Sequence, residues 1–414
     1  MSSKNRKCFD PRIFPCAFPI LEPPSPLGPE NICFQDLKTK LQRLQGKIIS
    51  VTISGCCDIL QGRISRVDDG SLILIGEFGT RIIPICNISS IDPCQVLAYV
   101  PNTGIFEDQG NTVSVIDTAT DTVIATITVG NAPNGVAITP NGTRVYVANL
   151  GADTVSVIDT ATNTVIDTVP VGNGPISVAI TPNGTLAYIT NLFDDTISVI
   201  NIESNMVTTT ITDEVGNSPF GIAIGNTPTG TRAYVANTED NTVSVIDVNP
   251  NSLTFNTVID TITVENSPID VAITPDGTSV YVTNADSSSV SVIDTATNTV
   301  TTIAVGIGPA GVGAGKTLVG TRGYVTNSGD NTISVIDADP NSPTFNTIID
   351  TITKGTGNSP SDAEVTPDGR KVYVPNNLSN NVSVIDTTTN TISASIPVGN
   401  VPNTLAIGRV CSII

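Results

Sequence analysis

All seven tyrosines of this 414-residue chain sit in one recurring phrase, Tyr-Val-x-Asn or a close variant, at Tyr99, Tyr146, Tyr188, Tyr234, Tyr281, Tyr324 and Tyr373. The spacings are 47, 42, 46, 47, 43 and 49 residues. A period of that length belongs to repeat architectures, and propeller blades fall at about 40–50 residues each. Each period holds four short apolar runs; the second reads Val136–Ile138, Val145–Val147, Val155–Ile158 and Val165–Val171. The runs are rich in Val, Ile and Thr, alternate at period two and stop at Pro, Gly, Asn or Asp, which predicts four antiparallel strands per repeat. Turn chemistry fills the gaps: Thr139-Pro-Asn-Gly142 after the first run, Asn149–Asp153 after the second, and Asp159–Thr164 after the third.

The ends of the repeat predict a closed ring. An inner strand of Val-Ala-Ile type occurs at 136–138, 178–180 and 271–273, with altered forms at Ile222–Ile224, Val312–Ala314 and Ala363–Val365. The first tyrosine repeat has no such strand before it, and Leu405-Ala-Ile407 follows the last outer strand. Placing strand 404–408 beside residues 97–129 completes the seventh blade and removes both open edges. An open solenoid capped at both ends is the alternative.

The tyrosine phrase, the Val-Ser-Val-Ile-Asp run and the Thr-Pro-Asp/Asn-Gly turn, recurring in order over 96–414, resemble the YVTN family of seven-bladed β-propellers. Departures are local: a longer loop at Thr103–Asn111, inserts at Asn249–Asn256 and Asp339–Asn346, and Gly315–Thr321 in place of the usual turn. The resemblance implies an all-β propeller, often found on surfaces, with no fixed activity.

The chain reads as three parts. Residues 1–30 form a Pro-rich arm that interrupts helix and sheet and lack the continuous apolar core of an ordinary signal peptide. Residues 31–95 predict a short amphipathic helix over Asp36–Leu44, ended by Gly46, and then five strands. Gly62, Ile64, Val67, Asp68 and Leu72, with Ile82–Ile85, resemble an Sm-like small barrel, and an SH3-like barrel is the open alternative. Cys86 and Asn87 stand where that resemblance would want Arg/Lys-Gly, so RNA binding is not expected. Residues 96–414 are the propeller.

Charge divides the same way. Residues 1–95 hold 11 Lys/Arg and 9 Asp/Glu (net +2), and residues 96–414 hold 8 and 29 (net −21). Such a propeller repels nucleic acid and anionic membrane, and no apolar run is long enough to cross a bilayer.

Seven cysteines (Cys8, Cys16, Cys33, Cys56, Cys57, Cys86 and Cys94) precede the propeller and Cys411 follows it. Ring closure puts Cys411 near Cys94, the best internal disulfide candidate. Cys8 and Cys16 suit linking between chains, and the bland reading of Cys33, Cys56 and Cys86 is a small buried hydrophobe. With no histidine and no C-x-x-C pair, spacing gives zinc no support.

Zero histidines also excludes a Ser-His-Asp triad. The loops before the inner strands are near-equal Pro, Asn and Gly sequences, and no unlike charged cluster is evident among them. Gly315-Lys-Thr317 fails as a phosphate loop because Ala310 occupies the first-glycine position. Acids at Asp194/Asp195, Glu239/Asp240 and Asp330 read as turn formers, with weak Ca²⁺ collection at the rim as the sharper option. Sequence alone therefore predicts no catalytic residue, no cofactor and no metal. The expected protein is non-catalytic and structural or surface-displayed. Small domains like 31–95 in spore coat proteins imply a spore coat, exosporium or appendage. Such a protein would self-associate, or join other spore-surface proteins, through its Cys-rich N-terminal region, without contact to nucleic acid or membrane. The alternative is a binding module for a protein or glycan, with an apolar patch near Phe193 or Phe220.

Overall fold

A computed structural model describes residues 48–411 apart from 54–58, 68–70, 77–78, 85–87 and 106–107, with side chains described for 94–104 and 110–410. The chain divides into two compact units, Met1–Cys94 with Cys411–Ile414, and Gln95–Val410.

In the first unit, β1 (Ile48–Ile53), β2 (Ile59–Val67), β3 (Ser71–Gly76) and β4 (Gly79–Pro84) pair as an antiparallel meander, and the start of β5 (Ile88–Ile105) pairs with β1. The order β4-β3-β2-β1-β5 is open, because no β4–β5 pairing joins its ends among the described residues. This corrects the expected barrel: residues 88–93 of β5 pair with β1 and the strand then continues toward the propeller instead of curling back onto β4. The expected helix over 36–44 lies outside the described residues. Among those described there is no α-helix, only a 3-10 turn at Ala285–Ser287.

The second unit is a seven-bladed all-β propeller. Blade 1 combines β5, β6 (Asp108–Asp117) and β7 (Thr122–Thr128) with β32 (Ala406–Cys411), which pairs with β5. Thr103 N–H donates to the Val401 carbonyl at 3.0 Å and Asn403 N–H to that of Pro101 at 3.3 Å, so the two ends of the repeat share one sheet. Blades 2 to 6 are four-stranded sheets β8–β11, β12–β15, β16–β19, β20–β23 and β24–β27, spanning 133–170, 175–211, 219–263, 268–304 and 309–352. Blade 7 is β28–β31 (364–397), and its first strand, Glu364–Val365, is only two residues long. First strands of successive sheets contact one another around the axis, and fourth strands lie outermost.

Blades pack through β-branched faces. Tyr146, Val155 and Val157 of one sheet meet Val178, Ala187, Ile189 and Ile200 of the next in a fully buried layer. Each tyrosine is fully buried, and its hydroxyl needs a partner there. Tyr99 donates to Asn163 at 3.0 Å, Tyr146 to Asn205 at 2.8 Å and Tyr281 to Asn346 at 2.6 Å, each asparagine lying in the neighbouring blade. Those asparagines have φ of 52°, 51° and 58°, the left-handed turn conformation that Asn tolerates. In these blades the tyrosine is thus a staple to the next blade. At the closing seam the partner is Asp121 of blade 1, which takes the Tyr373 hydroxyl and a 2.8 Å ion pair from Lys371.

Candidate functional site: acidic side chains on the propeller axis

In blades 2 to 6 the inner strand starts at a proline, and the ladder to the second strand shifts register just after it, as between Pro268 and Val271; in blades 7 and 1, Pro360 and Pro402 each form an isolated bridge ahead of the strand. Bulges of this kind re-aim side chains. The second residue after the proline is Gly135, Ser177, Gly221, Asp270, Gly311, Asp362 or Thr404 in blades 2 to 7 and 1; the fourth is alanine or glycine except for Glu364. Second and fourth positions share a side of the strand.

The two aspartates are held in equivalent ways two blades apart. Gly221 backs Asp270, since an added Cβ would lie 2.8 Å from the Asp270 Cα; Gly311 backs Asp362, where the distance is 2.5 Å. Each acid then reaches forward to an amide of the following inner strand. Asp270 Oδ2 accepts from Val312 N–H at 2.9 Å and Asp362 Oδ2 from Leu405 N–H at 3.0 Å. Asp362 Oδ1 also accepts from Ala363 N–H at 2.7 Å. Glu364 has no hydrogen-bond partner among the described residues. All three retain a partial opening to solvent while protein packs around their remaining sides.

That enclosure decides their protonation. Burial pushes Asp270 upward, the charge of Asp362 adds to the rise, and the Val312 and Val271 amides oppose it. Burial likewise raises Asp362 against the pull of the Leu405 and Ala363 amides. The two titrate as a pair, because two like charges in one low-dielectric space disfavour double ionisation. Glu364 is pushed up to about 8, by burial first and then by the two aspartates. Near neutrality the cluster therefore holds at least one proton donor and one acceptor. Paired carboxylates with separated proton affinities are the groundwork of general acid–base chemistry.

Sequence reasoning missed all three acids. The signal was there: aligned at the opening proline, the second and fourth positions are small or hydroxylated in every blade but 5 and 7. Of the cysteines singled out from sequence, Cys94 is disulfide-bonded; the side chains of Cys8, Cys16, Cys33, Cys56, Cys57, Cys86 and Cys411 lie outside those described. Most of the rim acids tie their own loop to a neighbouring one. Asp194 takes the Asn173 N–H at 2.6 Å, Asp195 that of Ser218 at 2.8 Å, Asp240 that of Asn217 at 2.7 Å, and Asp330 that of Ile307 at 3.0 Å. Among the described residues no three Asp, Glu, Cys or His side chains converge to hold a metal ion. Gly315 and Lys316 lie within the first strand of blade 6, Pro309–Thr317, and not in a phosphate loop. Phe193 is well exposed and Phe220 partly buried. No helix among the described residues is long and apolar enough to cross a membrane.

A family model described as lactonase, 7-bladed beta-propeller, matches residues 130–305. That span includes Asp270 and stops before Asp362. No curated protein matches the chain. Among solved structures, a putative 6-phosphogluconolactonase from Bacteroides fragilis is 17% identical with a TM-score of 0.60, over 76% of this chain and 98% of its own. Hydrazine synthase of Kuenenia stuttgartiensis is 23% identical with a TM-score of 0.57, over 67% and 90%. A functionally unknown protein from Desulfotomaculum acetoxidans is 17% identical with a TM-score of 0.62, over 77% and 100%. At these identities the likeness is one of fold.

These findings correct the sequence reading. The propeller stands, but the family match is lactonase-type, not YVTN; the tyrosine phrase is a packing staple and does not by itself separate propeller families. The non-catalytic reading as a structural spore-coat protein is overturned by the same match. It rested on near-equal loops and absent histidine, whereas the asymmetry lies one step further in, on the inner strands. Assembly through a disulfide-forming, Cys-rich, Sm-like base receives no support.

Proposed function

We propose that the channel of blades 5 to 7 is a hydrolytic site of lactonase type, opening a cyclic ester with water. The observation that carries this reading is that Asp270, Asp362 and Glu364, on the inner strands of blades 5 and 7, are enclosed and raise one another's proton affinity, in a chain part of which matches a lactonase model. The ionised member of the aspartate pair removes a proton from water as its oxygen bonds to the ester carbonyl carbon. Protonated Glu364 donates to the carbonyl oxygen as negative charge develops there. When the ring C–O bond breaks and the carbonyl re-forms, the proton held by the aspartate pair passes to the departing ring oxygen and the carbonyl oxygen returns its proton to Glu364, giving a hydroxy acid. No histidine is needed, because burial places these carboxyls where histidine would ordinarily titrate.

A panel of sugar-acid lactones followed by proton release tests the reading. Asp270→Asn and Asp362→Asn should each lower kcat/KM by about 100-fold or more, with circular dichroism reporting an intact fold. The pH profile should fall near 8, where Glu364 loses its proton, and Glu364→Gln should remove that falling limb. Wild-type rates from both asparagine variants would refute the assignment.

A second reading, a binding module for a protein or glycan, is favoured by Phe193 at 63% exposure and Leu378 at 73%, both in loops joining second to third strands. Phe193→Ser and Leu378→Ser should then abolish partner capture and leave hydrolysis unchanged. Self-association is a separate proposal, which sedimentation at two concentrations would decide.

A further inference from the structure

The channel's charge inventory selects among esters, an inference resting on the hydrolytic reading above. Residues 96–414 carry eight Lys or Arg. Four stand two residues before a tyrosine, at the end of the second strand that leaves the turn with the first. There Arg232 and Arg322 pair with Asp247 and Asp337, Arg144 bonds the Ile202 carbonyl and Asn205, and Lys371 pairs with Asp121. Arg370 pairs with Asp368 in that same turn of blade 7. Lys316 is exposed at the far end of its inner strand, six residues beyond Ala310. Arg409 lies five residues beyond Thr404 on the corresponding strand of blade 1 and has its own interaction.

Asp270 and Asp362 sit at the opposite end, beside the loops that enter the inner strands. Of these eight, Lys354 is the one left for that side; it is exposed just after the outermost strand of blade 6, and the adjoining Gly355 packs near Ile392 in the outermost strand of blade 7. Lys354 is therefore peripheral. A phosphate or carboxylate entering the channel would meet Asp270, Asp362 and Glu364 with no described cation to offset them, inside a propeller of strongly negative net charge. Hydroxyl groups fare differently, since carboxylate oxygens accept hydrogen bonds from them.

We infer that this channel takes neutral, hydroxyl-bearing cyclic esters and rejects phosphorylated or carboxylated ones. It would thus differ in substrate charge from a 6-phosphogluconolactonase, although the fold is shared. The full chain is assayed with glucono-δ-lactone and with 6-phosphogluconolactone, and titrated calorimetrically with two ethers that cannot be hydrolysed, 1,5-anhydroglucitol and its 6-phosphate. The neutral lactone should be preferred by on the order of 100-fold in kcat/KM. The gap should narrow as salt is raised, and only the neutral ether should bind. Equal or faster turnover of the phosphorylated lactone overturns the inference and leaves the hydrolytic reading standing. If neither lactone is hydrolysed, the hydrolytic reading falls and titration decides charge preference alone. Binding of the phosphorylated ether as tightly as the neutral one, or of neither, then overturns the inference.

Discussion

The inner strands of blades 2 to 4 and those of blades 5 to 7 occupy equivalent places on the axis and are built for different ends. In blades 2 to 4 the second and fourth positions are Gly135/Ala137, Ser177/Ala179 and Gly221/Ala223, small side chains that bring no charge to the axis. In blades 5 to 7 the same positions hold Asp270, a pair of glycines and the Asp362/Glu364 pair. The glycines of blade 6 explain how the acids are accommodated. An added Cβ at Gly313 would collide with the Ala363 carbonyl oxygen, and one at Gly315 would press on the Val365 side chain. Blade 6 gives up side chains so that the acidic strand of blade 7 can lie close. Seven-fold repetition supplies stability, and its local breakdown marks the place where desolvated charge is tolerated.

The comparison can be broken most forcefully at Gly313. Gly313→Ala should cost about 3 kcal/mol in chemical denaturation because backbone must move, whereas Ala179→Gly at the equivalent place in blade 3 should cost only about 1 kcal/mol. Equal effects at the two sites would show that the close approach of blades 6 and 7 is not needed.

Next comes Glu364. Its folded pKa lies above its unfolded value, so the native state retains a proton that the unfolded chain releases. Stability should therefore decline as pH rises from about 4.5 toward 8. Glu364→Gln should match wild type at pH 4 and exceed it by about 2 kcal/mol or more at pH 8.5, seen as a higher Tm. An unchanged pH–Tm curve would mean that Glu364 is solvated.

The staples give a smaller contrast. Tyr373 donates to Asp121, whereas the buried Tyr324 hydroxyl has no partner. Tyr373→Phe should cost about 1.5 kcal/mol or more, and Tyr324→Phe should be neutral or slightly stabilising. Smallest of all, Gly323→Ala adds a methyl with its nearest neighbour 3.6 Å away at Ile336 and should gain about 0.5–1 kcal/mol.

Much of the architecture was legible because repetition multiplies a weak signal: one four-strand pattern is ambiguous, but seven copies with one tyrosine each are not. The missing first inner strand and the surplus one at Leu405 pointed to closure for the same reason. The axial acids were hidden by that same regularity. Ala363-Glu-Val365 was taken for a variant of Val-Ala-Ile, and Asp270 is a single letter before Val271. Their meaning depends on strands 92 residues apart in sequence, from 270 to 362, lying two blades apart around one axis. The N-terminal strands were readable from their β-branched runs, while barrel closure depends on which edges meet and no local pattern states that.

From its letters alone this chain determines a closed ring of seven β-sheets, each marked by one tyrosine, because alternation, turn residues and period are local properties that each repeat states again. Tertiary structure alone decides that three acids distant in sequence are enclosed and raise one another's proton affinity, since burial and like-charge influence arise only when the inner strands converge on the axis.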